Sequence, residues 1–439
     1  MNKLPSTLHW FSALLLISGG FLPVLFSAGW ALSEIGAWSL VLWGVVALVG
    51  AVQAWVLLEL ALRFPHKAGG TATYALEVFQ GRLRPLAFLS GWGYWLAWTP
   101  ATALNGYLCA NLINGILGTS FNPIVLTLLI VALLYGLNYF GLSKVIFSGY
   151  LLAAVVALPL MLLVYIAFQT VTPARLEAAF TPGEFPGWVV LLKWFFVMAW
   201  TAYGLEMISS VVAETGGRQT RRMFGLAALW SLPAFAGIPL LLALLIDWTA
   251  LNQDIFASLE PLFTRHLGPT GGLLLSLMLV GALLYSALAI LIPSTRTLYQ
   301  MADDGLLPPY FRAVNRHGTP QGSLVLDLIL NVGLLVIFQG QLVAILATAN
   351  VGYMVVFVLL PVAYWLYLRR FRGGVSALQY GLIGFLLILN ALVLFVGGFA
   401  WGWFVFGVGW LLVLVGIPLY YAANRLDPVG LRAGAGSRE

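Results

Sequence analysis

The chain has 439 residues, of which 61% are hydrophobic and only 8% are charged. Soluble globular domains carry about 25% charged residues, so this composition excludes an ordinary soluble domain. The net charge of +6 accompanies long apolar runs, and we expect it to reflect membrane topology rather than nucleic-acid binding. The single cysteine, Cys109, excludes an intramolecular disulfide and a cysteine metal cluster.

Long apolar runs predict transmembrane helices, because about 20 helical residues cross the hydrocarbon core of a bilayer. We predict twelve spans, after which residues 423–439 form a cytoplasmic tail. The fold class is therefore expected to be an all-α polytopic membrane protein. The spans lie at about 8–32, 36–62, 85–116, 123–141, 144–169, 188–212, 222–247, 270–294, 323–339, 342–368, 377–398 and 401–422.

The cationic residues are distributed unevenly between the two sides of these spans. With both chain ends on one side, 18 of the 21 Lys and Arg residues lie on that side, and only Arg175, Lys193 and Arg265 lie on the other. Cytoplasmic loops are enriched in Lys and Arg. Both termini are therefore predicted to be cytoplasmic, in a plasma membrane that would be the inner membrane of a bacterium.

The first and sixth spans are interrupted by residues that weaken a helix. Paired discontinuous helices in the two halves of a secondary transporter point to a binding site between inverted repeats. Ser27-Ala28-Gly29 is a second candidate for the first interruption, so its register stays open. The residues predicted at the interruptions are Ser18, Gly19 and Gly20 in the first span and Ala202, Tyr203 and Gly204 in the sixth.

Glu206 follows directly after the interruption in the sixth span. A charged side chain at the centre of a membrane helix costs about 2.5–3.5 kcal/mol on insertion scales, so such residues usually face an interior or a pathway. Two interpretations stay open. Glu206 either takes up and releases a proton during transport, or is a neutral structural acid that is hydrogen-bonded to neighbouring helices.

Four sequence blocks, in order along the chain, resemble the amino acid–polyamine–organocation permeases, and in particular their basic amino acid and polyamine antiporter branch, which includes arginine/agmatine exchangers. The first runs from Glu59-Leu60 through Pro65 and Gly69-Gly70 to Tyr74, and is followed by Gly91-Trp92-Gly93-Tyr94. The others are Leu137-Asn138-Tyr139-Phe140-Gly141, Trp200-x-x-x-Gly204-x-Glu206, and Ala302-Asp303-Asp304-Gly305-Leu306 with the later Gly318-Thr319-Pro320.

The resemblance implies ten helices in two inverted five-helix repeats, followed by two peripheral helices. All would belong to one permease domain, 1–422, with the first repeat at 8–169, the second at 188–368 and the peripheral helices at 377–422. It also implies that exposed backbone at the two interruptions holds the substrate's carboxylate and amine. Free N–H groups at a helix start attract a carboxylate, and carbonyls at a helix end attract an ammonium group.

The resemblance places further substrate contacts at Ala97, Trp98, Thr102, Trp200 and Ile290. Trp200 would cover the bound substrate, with Tyr203 as the alternative residue that closes over it. Ile290 stands where the arginine exchangers have a Trp that stacks on the guanidinium, a cation–π contact. The missing Trp, the bulk of Trp98 and the expectation of no second buried acid beyond Glu206 favour a neutral amino acid. A cationic amino acid or polyamine antiporter is the alternative.

The expected function is secondary active transport of amino acids by alternating access, as a permease or an exchanger. No cofactor or metal is expected, because no two histidines have metal-ligand spacing. A membrane-embedded enzyme would need converging catalytic groups, and a channel would need a continuous polar lining; neither pattern is visible. The expected partners are the amino acid and the lipid bilayer, and a homodimer stays open.

Overall fold

The computed structural model describes residues 22–64, 71–141, 157–206, 208, 209, 212, 219–246 and 255–426. Within these ranges the regular structure is helical, apart from one isolated β-bridge between Val314 and Pro320. The predicted first interruption at Ser18, Gly19 and Gly20 lies outside the described residues. The described part therefore fixes the second of the two predicted interruptions and most of the surrounding helices.

Eight α-helices are described before residue 181. The third predicted span consists of two of them, α4 and α5, which are separated at Thr99 and Pro100, since proline has no N–H to continue the hydrogen-bond ladder. The eight are α1 (Leu22–Ile35), α2 (Trp38–Arg63), α3 (Thr71–Val78), α4 (Arg84–Trp98), α5 (Ala101–Leu117), α6 (Pro123–Tyr139), α7 (Ala157–Thr170) and α8 (Pro173–Phe180).

The second half of the chain begins with α9 (Trp188–Ala202), which continues as a 3₁₀ turn over Tyr203–Glu206. Two later spans contain single π-helical turns, at Pro233–Gly237 and Val393–Gly397. The remaining helices are α10 (Thr220–Leu232), α11 (Ile238–Leu245), α12 (Ile255–Asp303), α13 (Gln321–Ile337), α14 (Leu342–Phe371), α15 (Ala377–Leu392) and α16 (Trp403–Leu426).

Six helices of the described part are long and apolar enough to cross a membrane. The number rises to seven if α7 and α8, which are bent by 116° relative to each other, form one span. Several predicted limits agree closely with the structure: the short span at 323–339 corresponds to Gln321–Ile337, and 342–368 corresponds to Leu342–Phe371. The protein is thus a polytopic helical membrane protein, while twelve spans and the inverted repeat stay predictions.

Burial separates the inner helices from the outer ones. In α14, 78% of the most apolar stretch is buried, whereas in α16 the corresponding share is 22%. Large apolar side chains such as Trp403, Leu411 and Leu414 are exposed on α16. Because apolar surface is stable against lipid tails, α16 can face the bilayer, and α14 lies in the interior of the bundle.

Two glycines allow close contact between the helices that surround the interior. A Cβ added at Gly93 of α4 would lie 2.4 Å from the carbonyl oxygen of Gly352 on α14. One added at Gly50 of α2 would lie 2.5 Å from the carbonyl oxygen of Ala202, at the end of α9. Small residues permit such backbone contact between membrane helices. They bring α4, α14 and the end of α9 together around one region.

Candidate substrate site

The site is built where α-helical hydrogen bonding ends in the sixth predicted span. α9 ends at Ala202, and the backbone tightens into the 3₁₀ turn Tyr203–Glu206. A helix end leaves carbonyl groups without intrahelical partners. In a membrane such irregular backbone is tolerated only where it is buried in protein or lines a cavity. The structure therefore places the change of helix type at the predicted interruption.

Glu206 closes this turn with a side chain that is 0% exposed. Its Oε1 accepts hydrogen bonds from the Trp98 Nε1–H of α4 at 3.1 Å and from the Tyr353 hydroxyl of α14 at 3.0 Å. Its Oε2 is buried and has no hydrogen-bond partner among the described residues. One oxygen of the carboxylate is thus bound from two helices, and the other is buried without such a partner in the described part of the chain.

Aromatic rings surround the carboxylate on the α4 and α14 sides. The centroid of Trp98 lies 5.2 Å from that of Trp200, 5.8 Å from that of Tyr353 and 6.5 Å from that of Tyr94. We call Tyr94, Trp98, Trp200 and Tyr353 the aromatic cluster. Ring faces attract cations within about 6 Å of the centroid. The cluster and Glu206 together form an environment that suits an ammonium or guanidinium group.

Three further predicted contacts, Ala97, Gly204 and Ala202, lie beside the aromatic cluster or at the end of α9, the helix that carries Trp200. The Trp200 Nε1–H donates to the Ala97 carbonyl oxygen at 2.8 Å. A Cβ added at Gly204 would lie 3.5 Å from the Trp98 ring. Ala202 is fully buried against α2. The structure therefore brings Ala97, Trp98, Trp200, Gly204 and Glu206 into one region.

Tyr203 points to a different part of the molecule. Its hydroxyl donates to Asn390 Oδ1 of α15 at 3.2 Å, and its ring packs on Phe357 of α14 with centroids 4.6 Å apart. The side chain thus fastens the end of α9 to α15. Its predicted role in closing over the substrate stays a prediction, and the hydrogen bond to α15 is a structural role that the sequence did not indicate.

Thr102 and Ile290 are both buried in the neighbourhood of α4 and α5. Ile290 lies on α12, which packs against both helices. The hydroxyl of Thr102 lies beside the Tyr135 hydroxyl of α6, but its geometry gives it no hydrogen bond within the described ranges. Thr102 therefore faces a polar group from α6 that the sequence did not predict.

The expectation that Glu206 is the only buried acid is wrong, because Asp327 of α13 is also 0% exposed. Its Oδ1 accepts from the Trp95 Nε1–H at 2.8 Å, from the Thr99 hydroxyl at 2.8 Å and from the Ser294 hydroxyl, and its Oδ2 accepts from the Tyr135 hydroxyl. The acid is compatible with an apolar span because four donors satisfy it. An acid inside the run 323–339 was the available signal.

The arrangement has the features of a carrier site. It consists of helix-end carbonyls, aromatic faces and a buried carboxylate that lie inside a helical bundle. No group of three or more His, Cys, Asp or Glu side chains that could hold a metal occurs among the described residues. The fold and the site together define a polytopic membrane transporter.

The sequence comparison gives the family. Residues 8–426 match the amino acid permease family. This is nearly the whole chain, and the protein therefore belongs to that family of amino acid transporters. The resemblance inferred from the four sequence blocks is confirmed at this level.

Three curated relatives are similar to this chain at 24–26% identity. An arginine/ornithine antiporter of Latilactobacillus sakei is 26% identical over 388 residues, which cover 80% of this chain and 76% of the relative. The arginine/ornithine antiporter ArcD1 of Lactococcus lactis is 25% identical over 335 residues, which cover 66% of this chain and 62% of the relative. The lysine-specific permease LysP of Escherichia coli is 24% identical over 289 residues, which cover 61% of this chain and 57% of the relative. All three are named for cationic amino acids.

Proposed function

We propose that this protein is a secondary active transporter of cationic amino acids that works by alternating access. The observation that carries the proposal is the buried carboxylate of Glu206 within the aromatic cluster, with one oxygen that no described group binds. The names of the relatives support the same substrate class. They favour the cationic alternative over the neutral substrate that the sequence suggested.

The charge balance of the interior supports a cationic substrate. A buried carboxylate without a cation is costly, whereas a paired one is far less so. An ammonium or guanidinium group beside Glu206 would pair with it and lie against the faces of Trp98 and Trp200, where cation–π contacts contribute about 0.5–2 kcal/mol. Asp327 removes one argument against a cation, since it is 0% exposed, as Glu206 is.

A neutral amino acid is the second candidate, and Ile290 favours it. Ile290 is 1% exposed on α12 and is apolar. It offers no ring face to a guanidinium group at the position where the resemblance expects a Trp. An apolar substrate side chain would bury surface there at about 25 cal/mol per Å². The two candidates differ in whether the far end of the substrate carries a charge.

The proposed roles follow the local chemistry. Carbonyl groups at the end of α9 hold the substrate's amino group, Trp200 covers it, and Glu206 balances charge and binds a proton when no cation is present. The first interruption supplies N–H groups to the carboxylate. The proposed architecture has twelve spans with both termini in the cytoplasm, in a bacterial plasma membrane, with one half of the inverted repeat moving against the other.

Reconstitution into liposomes tests the proposal. Purified protein is placed in vesicles with or without internal arginine, and uptake of labelled arginine, ornithine, lysine and leucine is measured. Saturable uptake of the three cationic substrates is expected, and dependence on internal arginine would identify exchange. Preferential leucine uptake would overturn the cationic substrate. Failure to carry any of the twenty common amino acids saturably would overturn amino acid transport.

A pair of acid-to-amide variants links the flux to the site. Glu206→Gln should lower cationic uptake strongly. Glu34→Gln removes a partly exposed acid whose carboxylate pairs with Lys193 at 2.6 Å, outside the site. This matched control should transport like the wild type, because exposed ion pairs contribute only about 0–1 kcal/mol. Equal losses in both variants would contradict the role of Glu206.

A further inference from the structure

The environment of Asp327 connects four helices through one carboxylate. Asp327 lies on α13, and its donors come from α4 (Trp95), the α4–α5 junction (Thr99), α6 (Tyr135) and α12 (Ser294). No Lys, Arg or His side chain forms an ion pair with it in the part of the chain that the structure describes. Tyr135 is the titratable group bonded to it. An ionised Asp327 is therefore bound only by neutral groups.

The donors fix which oxygen can take a proton. Trp95 Nε1–H can only donate, so Oδ1 must accept from it in every state. The hydroxyls of Thr99 and Ser294 lie 3.0 Å apart and also reach Oδ1. Each can donate to Oδ1, and each can instead donate to the other. Oδ2 faces the Tyr135 hydroxyl, so Oδ2 is the oxygen that can carry a proton.

The Tyr135 hydroxyl has two possible hydrogen-bond acceptors. Its oxygen accepts from Asn331 Nδ2 at 2.8 Å, which leaves its own hydrogen free to donate. One acceptor is Asp327 Oδ2. The other is the Thr102 hydroxyl, which lies beside it and has no hydrogen-bond partner among the described residues. The same set of side chains can thus satisfy Asp327 in either protonation state.

We propose that Asp327 is a second proton-binding site of this transporter. When Asp327 is protonated, the Tyr135 hydroxyl donates to Thr102 instead of to Asp327. When a hydronium ion transfers a proton to Oδ2, one O–H bond of the hydronium ion breaks, an O–H bond forms on Oδ2, and Asp327 donates to the Tyr135 oxygen. Tyr135 keeps its own hydrogen and turns it to Thr102. When the proton leaves to water, Tyr135 turns back to Asp327. No other covalent bond forms or breaks.

The link to Thr102 connects the proton to transport. Thr102 is a proposed substrate contact, four residues after Trp98 along the chain, so this step rests on the proposed function. Coupling between two sites is reciprocal: if a proton on Asp327 weakens the binding of a cation, the cation also weakens binding of the proton. Exchange of a proton for a cationic substrate then keeps the interior charge balanced.

Infrared pH-difference spectroscopy tests the proton site without any transport. A protonated carboxyl group has a C=O stretching band distinct from the carboxylate bands. In wild-type protein reconstituted without substrate, bands from Asp327 and Glu206 are expected as pH is lowered. Asp327→Asn should remove one band that Glu206→Gln retains. If Asp327→Asn retains every band, the proposal is overturned, whether or not the protein transports amino acids.

A milder variant keeps the test decisive if Asp327→Asn does not fold. Tyr135→Phe leaves the carboxyl group and removes its hydroxyl partner, so the Asp327 band should move in frequency. An unmoved band contradicts the hydrogen-bond switch. In binding assays the wild-type affinity for arginine should change about tenfold or more between the two protonation states of Asp327, a typical coupling, and Tyr135→Phe should reduce that change. An equal change in wild type and variant also contradicts the link.

Discussion

Glu206 and Asp327 are two buried carboxylates, and each accepts a hydrogen bond from one of two neighbouring tryptophans on α4. Trp98 donates to Glu206, and Trp95, three residues earlier on α4, donates to Asp327. Residues three apart are neighbours on a helix surface. The two acids differ in their backbone: Glu206 ends a 3₁₀ turn, whereas Asp327 lies inside the regular helix α13.

The two acids also differ in how completely they are bound. Both oxygens of Asp327 accept hydrogen bonds, while Glu206 Oε2 has no partner within the described ranges. A satisfied buried polar group stabilises the arrangement around it, and an unsatisfied one is costly until something binds it. The difference supports the proposal that Glu206 contacts the substrate and that Asp327 acts through its neighbours on other helices.

The largest effect is expected from Asp327→Ala. It removes the acceptor of the Trp95 N–H and the shared acceptor of three hydroxyl groups, of which Thr99 keeps the Trp95 carbonyl oxygen at 2.8 Å as a second acceptor. A buried polar group that is left unpaired typically costs about 1–3 kcal/mol. We expect a loss of about 3–5 kcal/mol of stability, as for other broken buried charge networks. Thermal unfolding in detergent measures it. Glu206→Ala is the matched control and should cost less, because only Trp98 and Tyr353 lose an acceptor; a larger loss there would reverse the comparison.

The next effect is expected from Glu206→Gln on binding rather than on stability. Interactions with a charged partner contribute about 1.5–3 kcal/mol, so affinity for a cationic amino acid should fall about tenfold to a hundredfold. Wild-type affinity should decrease as pH falls and Glu206 takes up a proton. Gln is neutral at every pH, so the variant should lose the part of this dependence that Glu206 causes and keep the part that Asp327 causes. A variant with the wild-type pH profile would support the structural interpretation of Glu206.

The interruption at Ala202–Gly204 could be predicted from sequence because it depends on local features. Glycine weakens a helix, and an acid in an apolar run marks an interior. Both signals lie within a few residues of Glu206. The family resemblance supplied Ala97, Trp98 and Trp200. In the structure Trp98 donates to Glu206, Trp200 packs against Trp98, and Trp200 donates to Ala97.

The environment of Asp327 could not be predicted in the same way. Which side chains surround an acid inside α13 depends on the rotation of this helix about its axis, which one short span does not determine. Its partners Trp95, Tyr135 and Ser294 lie on three other helices. The orientation of Tyr203 was missed for a related reason: a 3₁₀ turn has 3.0 residues per turn rather than 3.6, so side chains after α9 rotate away from their α-helical positions.

A matched pair of tryptophan variants separates the two acids. Trp98→Phe keeps a ring against Trp200 but removes the N–H that binds Glu206, and one such bond contributes about 0.5–1.5 kcal/mol. Substrate affinity should therefore change about twofold to tenfold, measured by ligand binding to the purified protein. Trp95→Phe makes the same chemical change beside Asp327. It should lower the unfolding temperature and alter affinity less; equal changes in affinity would show that the acids do not act separately.

The smallest effect is expected from Tyr203→Phe, which tests whether this residue belongs to the site. Its hydroxyl donates to Asn390 on α15, so its removal should cost only about 0.5–1.5 kcal/mol of stability. Substrate affinity should stay within about twofold, a difference of less than 0.6 kcal/mol by the usual conversion. Asn390→Ala removes this hydrogen bond and also the one that Asn390 Nδ2 donates to the Phe357 carbonyl oxygen at 2.8 Å, so it should cost more stability while affinity again stays within about twofold. If Tyr203→Phe alone weakens binding strongly, then Tyr203 contacts the substrate during transport, as the sequence predicted.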